Sequence, residues 1–278
     1  MNGSMSQKTL LLVNGEDYWQ AYFPQYNVRQ VRVQSADFLL KDGRLWVVDG
    51  KATIQPDAIF WRVGAIKPSA RQEVAMRMIQ LSGLPCINPA NSLMRGYDRL
   101  AMLAEIQTCG LPIVPFQVAS SPRRLEEIAG KFPFVVKAGN YHGGYGKVLV
   151  RDAAQWQDVR DLLFMTEEYV TVEPFIRYER DLRYLAVGDR VWAMQRRSGH
   201  WKVNVGRADY IEVEPEPEWV TYTQALRQHI GAQMVAIDVL EEADGTRYVL
   251  EYNDIPGISG FPTEVKRAVA ELVARILG

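Results

Sequence analysis

The stretch MVAIDVLEEADGTRYVLEYN, residues 234–253, predicts two strands joined by an Asp244-Gly245 turn. An Asp-Gly pair between alternating runs is one of the strongest short signals for a β-hairpin. A two-residue turn places Asp238 directly opposite Glu251. Because side chains alternate along a strand, Asn253 shares the face of Glu251. Two carboxylates that face each other destabilise a sheet, so this pattern requires compensation by positive charge.

A divalent cation is one source of that compensation. Carboxylate and amide oxygens are the hard ligands that Mg²⁺ takes, with phosphates and water completing its shell. The hairpin therefore predicts a metal site formed by Asp238, Glu251 and Asn253. A surface hairpin whose carboxylates point at solvent or at arginines would have the same spacing, and the sequence leaves this alternative open.

A glycine-rich stretch lies upstream, directly after an apolar strand. The strand ends at Lys137, and residues 139–147 follow with the sequence GNYHGGYGK. Glycines free the backbone to wrap its N–H groups around an anion, and a lysine adds positive charge. The pattern matches neither the Walker loop nor the dinucleotide fingerprint, because no helix start follows it. A glycine-rich hairpin with a lysine reaching into solvent would explain it equally well.

Arginines surround a second predicted hairpin, whose turn is Gly188-Asp189. With a two-residue turn, Asp181 faces Arg196, and Arg183 lies on the same side of the sheet. One interpretation is a clamp for a phosphate or a carboxylate. The alternative is an exposed ladder of ion pairs, which would contribute little to stability.

Composition indicates an ordinary globular protein. Of the 278 residues, 47% are hydrophobic and 23% are charged, and the formal net charge is -1, so neither a nucleic-acid partner nor an acidic membrane surface is indicated. The two cysteines lack metal-ligand spacing and are expected to be reduced thiols. No apolar run approaches the ~18 residues of a membrane helix, and no signal peptide is evident. We therefore expect a soluble, cytoplasmic protein.

The remaining pattern predicts alternating strands and helices. Helical spacing is present over residues 68–81, over residues 93–108 with Ser92 as N-cap, and over residues 262–277. Residues 212–218 are acidic and interrupted by prolines, which predicts a solvated loop. This mixture indicates an α/β layer followed by α+β modules.

Several short motifs, in this order, resemble those of the ATP-grasp superfamily. They are FPFVVKAGNYHGGYGKVLV (132–150), VEPFI (172–176), DLR (181–183), GHWKVNVG (199–206), AIDVL (236–240) and EYNDIPG (251–257). The sequence is most similar to synapsin and to the ribosomal-protein glutamate ligases (RimK-like), and the resemblance extends from Leu10 to the last helix.

This resemblance implies an ATP-grasp fold of class α/β (α+β), with an N-terminal α/β layer and two α+β lobes that sandwich ATP. The implied domains are an N-terminal domain, a central lid with the glycine loop, and a C-terminal lobe with the metal site: residues 1–92, 93–173 and 174–278. It also implies an ATP-dependent ligase that joins a carboxylate to an amine through an acyl phosphate. The alternative function, suggested by synapsin, is an ATP-binding regulatory or assembly module with little or no catalysis.

The resemblance further implies roles for individual residues. Contacts to ATP would come from the loop and lysines around the phosphates, the hinge around adenine and one carboxylate at the ribose: Arg99, Lys137, His142, Gly143, Gly144, Gly146, Glu173, Pro174, Phe175, Asp181, Lys202 and Asn204. Mg²⁺ or Mn²⁺ would bind Asp238, Glu251 and Asn253. Arg183 and Arg196 would steady the transferred phosphoryl group.

Two positions depart from relatives. Arg99 stands where family members often carry lysine, so its role at the nucleotide stays open. Synapsins lack the Glu-x-Asn arrangement that Glu251 and Asn253 form here. At these positions the sequence resembles the enzymes. Partners would be ATP, a carboxylate substrate and an amine acceptor, and a homodimer is left open. Arg62 is a candidate carboxylate contact; a strand-end arginine in solvent is the alternative.

Overall fold

A computed structural model describes residues 7–64, 66–202 and 209–277. Its N-terminal part contains a four-stranded parallel sheet in the order β2-β1-β6-β7 and a small antiparallel sheet in the order β3-β4-β5. Their strands are β1 (Thr9–Val13), β2 (Asn27–Val31), β3 (Asp37–Lys41), β4 (Arg44–Asp49), β5 (Ala52–Ile54), β6 (Ala58–Trp61) and β7 (Cys86–Ile87). Asp17–Tyr22 forms a 3-10 helix after β1.

The helix predicted over residues 68–81 is confirmed as α1 (Ala70–Ser82), which begins two residues later and ends one residue later. It begins with a capping box, in which Ser69 and Gln72 satisfy each other's backbone N–H groups. It ends at Gly83, whose φ of 67° is the left-handed conformation that glycine adopts without strain.

The predicted single helix over residues 93–108 is two helices, α2 (Ala90–Gly96) and α3 (Arg99–Thr108). Ser92 is buried inside α2, so its prediction as an N-cap is wrong. Asp98 instead caps α3, because its carboxylate accepts hydrogen bonds from the backbone N–H groups of Leu100 and Ala101 at 2.8 and 3.1 Å. The N-cap at Asp98 therefore divides a stretch that apolar spacing alone predicts to be one continuous helix.

The central lid is a four-stranded antiparallel sheet in the order β10-β9-β11-β8. It comprises β8 (Gln117–Ala119), a 3-10 helix (Pro122–Ile128), β9 (Phe134–Ala138), β10 (Lys147–Val150), α4 (Ala153–Phe164) and β11 (Val170–Pro174). Apolar side chains from these elements form a core of their own. The glycine loop connects β9 to β10, so both of its ends are held by the sheet.

The C-terminal lobe is a five-stranded antiparallel sheet in the order β14-β13-β12-β15-β16. It comprises β12 (Tyr178–Val187), β13 (Arg190–Arg197), β14 (Asp209–Val213), α5 (Pro217–His229), β15 (Met234–Glu242), β16 (Arg247–Asn253) and α6 (Thr263–Leu277). One face packs with α6 and the N-terminal sheet, and the other packs with α3 and α5. The predicted C-terminal helix is confirmed.

The prediction of a loop over residues 212–218 is wrong. Its start is the end of β14 and its end is the first turn of α5. Pro217 stands at an early helical position, where its missing N–H has no cost. The predicted exposure is confirmed, because Glu212, Glu214 and Glu218 are exposed. Glu216, whose side chain is 44% exposed, also receives two hydrogen bonds from Arg247 at 2.6 and 2.8 Å.

The hairpin of β15 and β16 has the predicted pairing but a different turn. Glu242 and Thr246 close a three-residue loop, with Gly245 at a φ of 85°. A two-residue turn would have paired Val239 with Leu250. With the three-residue loop, Val239 pairs with Val249. A bulge at the next residue of β16 adds one position and brings Asp238 opposite Glu251. The predicted turn is wrong, and the predicted pairing is confirmed because the two irregularities cancel.

The hairpin of β12 and β13 has the predicted two-residue turn, and Asp181 pairs with Arg196. The three-domain division stays a prediction, although the proposed first boundary at residue 92 falls inside α2. Among the residues described above, no helix combines the length and apolar character that crossing a membrane requires.

Candidate nucleotide and metal site

A cleft of about 710 Å³, including its open mouth, lies between the lid sheet and the C-terminal sheet. Ten predicted site residues line it: Lys137, Gly144, Glu173, Pro174, Phe175, Asp181, Arg196, Lys202, Asp238 and Glu251. They come from both lobes, so the fold brings together residues more than a hundred positions apart in the chain.

The two carboxylates of the β15–β16 hairpin lie inside this cleft. Asp238 is almost fully buried and receives hydrogen bonds from Nε and Nη2 of Arg183, at 2.7 and 2.8 Å, and from Nη1 of Arg196, at 3.2 Å. Burial would raise the pKa of Asp238, but the two guanidinium groups outweigh it and hold the pKa below its ordinary value. This carboxylate is therefore ionised.

Glu251 is held by a different set of cations. Nζ of Lys147 donates to Oε2 of Glu251 at 3.1 Å, and Nη1 of Arg99 lies 3.8 Å from the same oxygen. Burial alone would raise the pKa of Glu251. The charges of Lys147, Arg99 and Lys137 together reverse this, and the pKa lies well below its ordinary value. Both facing carboxylates are charged because arginines and lysines converge on them.

A third buried carboxylate, Glu173 at the end of β11, pairs with Lys137 and, at 3.4 Å, with Nη2 of Arg99. Arg99 thus bridges Glu173 in the lid to Glu251 in the C-terminal lobe. Burial, together with the charge of Arg99, lowers the pKa of Lys137 to about 7, and the attraction of Glu173 only partly offsets this. The lysine is therefore poised to gain a proton when a negative charge arrives.

Positive charge is in excess at the cleft. Within the described residues, six cationic side chains lie in or beside the cleft: Arg99, Lys137, Lys147, Arg183, Arg196 and Lys202. Four carboxylates face them: Glu173, Asp181, Asp238 and Glu251. If Lys137 is protonated, this leaves a surplus of two positive charges. Burying uncompensated charge is costly, so the cleft is suited to a polyanionic ligand.

The opposite end of the cleft is apolar. Its lining there consists of aliphatic and aromatic side chains that surround the hinge after β11: Val114, Val135, Pro174, Phe175, Ile176, Leu240 and Leu250. Asp181 lies beside this end and accepts a hydrogen bond from Nε of Arg196 at 2.7 Å. Burial raises the pKa of Asp181 to about 6, against the attraction of Arg196. An apolar end and a cationic end together suit a ligand with a flat ring and phosphates.

Two loops close over the cationic end. Nζ of Lys202 donates to the carbonyl oxygen of Gly144 at 3.0 Å, which joins the segment after β13 to the glycine loop. The N–H of His142 donates to the carbonyl oxygen of Ile66 at 2.7 Å. Gly146 has a φ of 64°, and a Cβ at this position would lie 2.9 Å from Cβ of Tyr141. Glycine is therefore required there by both backbone conformation and space.

Several predicted residues lie outside the lining of the cleft. Arg183 and Arg99 reach it through their ion pairs with Asp238 and Glu251. The others are His142, Gly143 and Gly146 in the closing loop, Asn253 at the end of β16, and Arg62. Asn204 lies outside the described residues.

Arg62 is buried, so the alternative of a solvent-exposed arginine is wrong. Its Nη1 donates to the carbonyl oxygen of Pro256 at 3.0 Å, and its Nη2 lies 3.4 Å from Oε1 of Glu16. The side chain therefore connects the N-terminal sheet to the segment that follows Asn253.

Lys147 and Trp201 line the cleft but were not assigned roles from the sequence. Lys147 pairs directly with Lys137 across β9 and β10. A register count from the glycine loop could not have shown this, because a connection of that length has no fixed turn geometry. Two lysines that pair across a sheet indicate a nearby anion, because like charges directly opposite each other are destabilising without one.

The oxygen donors of this hairpin fit a divalent cation. Within the described part of the chain, no cluster of three His, Cys, Asp or Glu side chains is suited to hold a metal. A metal at this hairpin would have only Asp238 and Glu251 as carboxylate ligands, so further oxygens would have to complete its shell. An ionised carboxylate offers about four acceptor positions, and the arginine hydrogen bonds described above occupy three of those of Asp238, one on Oδ1 and two on Oδ2. Among the described residues, the amide nitrogen of Asn253 is buried without a hydrogen-bond partner.

Fold comparison defines the class of protein. The chain resembles the crystal structure of D-alanyl-alanine synthetase A from Vibrio cholerae with a TM-score of 0.75 and 16% identity, over 99% of this chain and 98% of the other. With the two sandwiching lobes and the cleft between them, this identifies an ATP-grasp fold. The predicted fold class is confirmed.

Sequence comparison gives the family. The family described as "Synapsin, ATP binding domain" matches residues 110–277, which is more than half of the chain, and the protein belongs to it. A "Probable alpha-L-glutamate ligase" of Ectopseudomonas mendocina is 27% identical over 241 residues, covering 82% of this chain and 78% of that protein. "Synapsin" of Drosophila melanogaster is 24% identical over 238 residues, covering 80% of this chain and 23% of that protein.

Proposed function

We propose that the protein is an ATP-dependent ligase that joins a carboxylate to an amine. The observation that carries this proposal is the direct pairing of Asp238 with Glu251 inside a cleft that holds a surplus of positive charge. A relative that covers most of the chain is named as a glutamate ligase, and this supports the same reaction class. The cytoplasm is the compartment in which ATP is available for such a reaction.

Mg·ATP fits the two ends of the cleft. Adenine would lie in the apolar end against Pro174 and Phe175, and the ribose would lie near Asp181. The phosphates would then meet Lys137 and Lys202. Mg·ATP is a net anion, so it offsets the surplus of positive charge at the cleft.

Asp238, Glu251 and Asn253 would hold Mg²⁺ or Mn²⁺. The cation would neutralise charge on the β- and γ-phosphates and orient them for in-line transfer. Glu251 needs to exchange part of its contact with Lys147 for the metal. Arg99 would keep Glu251 in place during that exchange, since it also contacts Glu173.

The reaction would proceed in two balanced steps. A carboxylate oxygen of the first substrate attacks the γ-phosphorus, the bond to the β–γ bridging oxygen breaks, and ADP leaves with that electron pair. The product is an acyl phosphate. The amine nitrogen of the second substrate then attacks the acyl carbon, phosphate leaves, and the nitrogen loses a proton to form an amide.

Arg183 and Arg196 would stabilise the charge that moves during both steps. Their guanidinium groups are fixed by Asp238 and Asp181, so they need no reorganisation when charge develops on the transferred phosphoryl group. Arg196 is nearly fully buried, which strengthens its interaction with a bound phosphate.

The test is ADP formation that requires both substrates. Purified protein is incubated with Mg·ATP and a panel of carboxylates and amines, and both ADP and amide are measured. We expect formation of ADP and amide with at least one pair, and no activity in Asp238→Ala. If a broad panel gives no more product than this variant, the enzyme proposal is wrong.

A second function, an ATP-binding module with little or no catalysis, is favoured by the family match to the synapsin ATP-binding domain. Calorimetry separates the two. Tight binding of Mg·ATP without ADP under any substrate condition would support the module.

A further inference from the structure

The N-terminal parallel sheet contains a topological switch point. Its order is β2-β1-β6-β7, with β1 and β6 at the centre. After β1 the chain adds β2 on one side of this pair, and after β6 it adds β7 on the other side. In open α/β sheets, ligands bind in the crevice at the carboxyl ends of the two strands where the order reverses. Here those strands are β1 and β6, which pair in parallel. The crevice is thus fixed by topology, independently of the nucleotide cleft.

Charged side chains follow both of these strands. Glu16 comes shortly after β1 and Arg62 comes directly after β6, and the two pair across the crevice at 3.4 Å. Glu16 also accepts a hydrogen bond from Nε1 of Trp19 at 2.8 Å. Its pKa is lowered, because Arg62 and these hydrogen bonds outweigh the effect of burial. Glu16 is therefore an oriented, ionised carboxylate.

The two members of the pair differ in accessibility. The side chain of Glu16 is 44% exposed, whereas that of Arg62 is 4% exposed and lies near the rings of Phe60 and Trp19. Nε of Arg62 is buried and has no hydrogen-bond partner within the part of the chain that the structure describes. The carboxylate is consequently the group that a ligand can reach, and the guanidinium is the group that holds it from behind.

Arg62 also connects this pair to the proposed reaction site. Its Nη1 binds the carbonyl oxygen of Pro256, three residues after the predicted metal ligand Asn253. A change at Glu16 or Arg62 can therefore be transmitted along a short segment to the carboxylate hairpin. A substrate at the crevice would lie where the N-terminal sheet and this segment meet.

We infer that Glu16 is the binding residue for the amino group of the acceptor substrate, and that Arg62 is a positioning residue that orients Glu16 and the segment after Asn253. The ligand class is a primary amine that enters in its ammonium form and loses one proton to water before its nitrogen attacks the acyl carbon. This inference rests on the proposed ligase function and adds the location of the amine site. A hydrogen bond between two charged groups gives roughly tenfold or more in affinity.

A matched pair of probes tests this without turnover. Alaninamide and lactamide differ only in an ammonium group against a hydroxyl group. Binding of each is measured by calorimetry to the full chain with Mg²⁺ and a non-hydrolysable ATP analogue. We expect the wild type to prefer alaninamide by about tenfold or more, Glu16→Gln to lose this preference, and Glu16→Asp to retain part of it. Glu73→Gln, which changes an exposed carboxylate of the same domain, should retain all of it.

The role of Arg62 is tested with Arg62→Lys, which keeps the charge but cannot make both contacts. We expect the preference to fall by several-fold while ATP-analogue affinity and thermal unfolding stay near wild type. Lack of any preference in the wild type, or an unchanged preference in Glu16→Gln, would overturn the inference.

Turnover distinguishes the two proposals. If amide forms with some substrate pair but KM for the amine is unchanged in Glu16→Gln, the amine site is wrong and the ligase function stands. If the wild type prefers the cationic probe but no pair yields ADP, the ligase function fails and the amine site stands.

Discussion

Binding of ATP should be coupled to uptake of a proton by Lys137. In the empty cleft, burial and the nearby charge of Arg99 lower the pKa of Lys137 to about 7. At pH 8 the lysine is therefore protonated in only roughly one molecule in ten. Triphosphate beside its Nζ favours the charged form and should return the pKa toward the ordinary value for lysine. Each binding event at pH 8 should then take up roughly 0.9 of a proton.

The sign follows from linkage. The complex holds more protons than the empty protein between pH 7 and the higher pKa of the complex, so ATP affinity falls as pH rises through this window. At pH 8 the slope is close to a tenfold loss per pH unit, and below pH 6 it is small because Lys137 is already charged. The same lowered pKa makes the empty protein gain stability as pH rises from about 7, since the unfolded chain keeps the proton longer.

Isothermal titration calorimetry measures this uptake directly. Mg·ATP is titrated at pH 8 in two buffers that differ in ionisation enthalpy, and the difference in observed heat gives the number of protons. Lys137→Met is the control, because it removes the titrating group while preserving much of its volume. Equal heats in both buffers, or equal uptake in wild type and Lys137→Met, would refute the reasoning.

Two further predictions concern the arginine clamp and the closing loop. Arg183→Lys loses the paired hydrogen bonds to Asp238, so the rate of ADP formation should fall by roughly 100-fold while the Kd for Mg·ATP changes little. Steady-state kinetics measures the rate and calorimetry measures the Kd. A weaker Kd with an unchanged rate would contradict the role assigned to Arg183. Gly146→Ala forces a side chain into a left-handed conformation against Tyr141, which costs roughly 1–2 kcal/mol and should weaken ATP binding about tenfold. Gly199→Ala is its control, because a Cβ there meets no atom within 4 Å; equal effects of both variants on calorimetric Kd would show that the loop conformation is unimportant.

Local patterns predicted the two C-terminal hairpins and the strand that ends at Lys137, because alternation and turn residues act over a few positions. The hairpin of β12 and β13 follows directly from its Gly188-Asp189 turn. In the hairpin of β15 and β16 the same reasoning gives the correct partner of Asp238 through two compensating irregularities. A bulge at Leu250 has no local sequence signal, because its side chain continues the apolar pattern of the strand.

Tertiary contacts decide what the local pattern cannot. The break between α2 and α3 depends on Asp98 as a cap and on close packing of Gly96 against the carboxylate of Asp254, where a Cβ would lie 2.2 Å from Oδ2. Arg62 is indistinguishable from a solvent-exposed arginine until the chain after Asn253 folds back onto it. Such contacts join segments almost two hundred residues apart.

Charge pairing is the part of the site that the sequence left most open. Two facing carboxylates indicate a need for cations but not which cations supply it. The structure provides Arg183 and Arg196 for Asp238, and Lys147 and Arg99 for Glu251. The hairpin does not lie at the surface, since Asp238 is buried, but its carboxylates do point at arginines, as the alternative stated, and the metal stays a prediction.

We propose that Asp238 and Glu251 bind one divalent cation beneath the phosphates of ATP. Crystals grown with ADP and Mn²⁺, measured near the manganese absorption edge, test this most directly through the anomalous difference map. We expect a single peak within about 2.5 Å of carboxylate oxygens of both residues and beside the terminal phosphate. Clear density for the nucleotide with a manganese peak elsewhere, or with none, would contradict it.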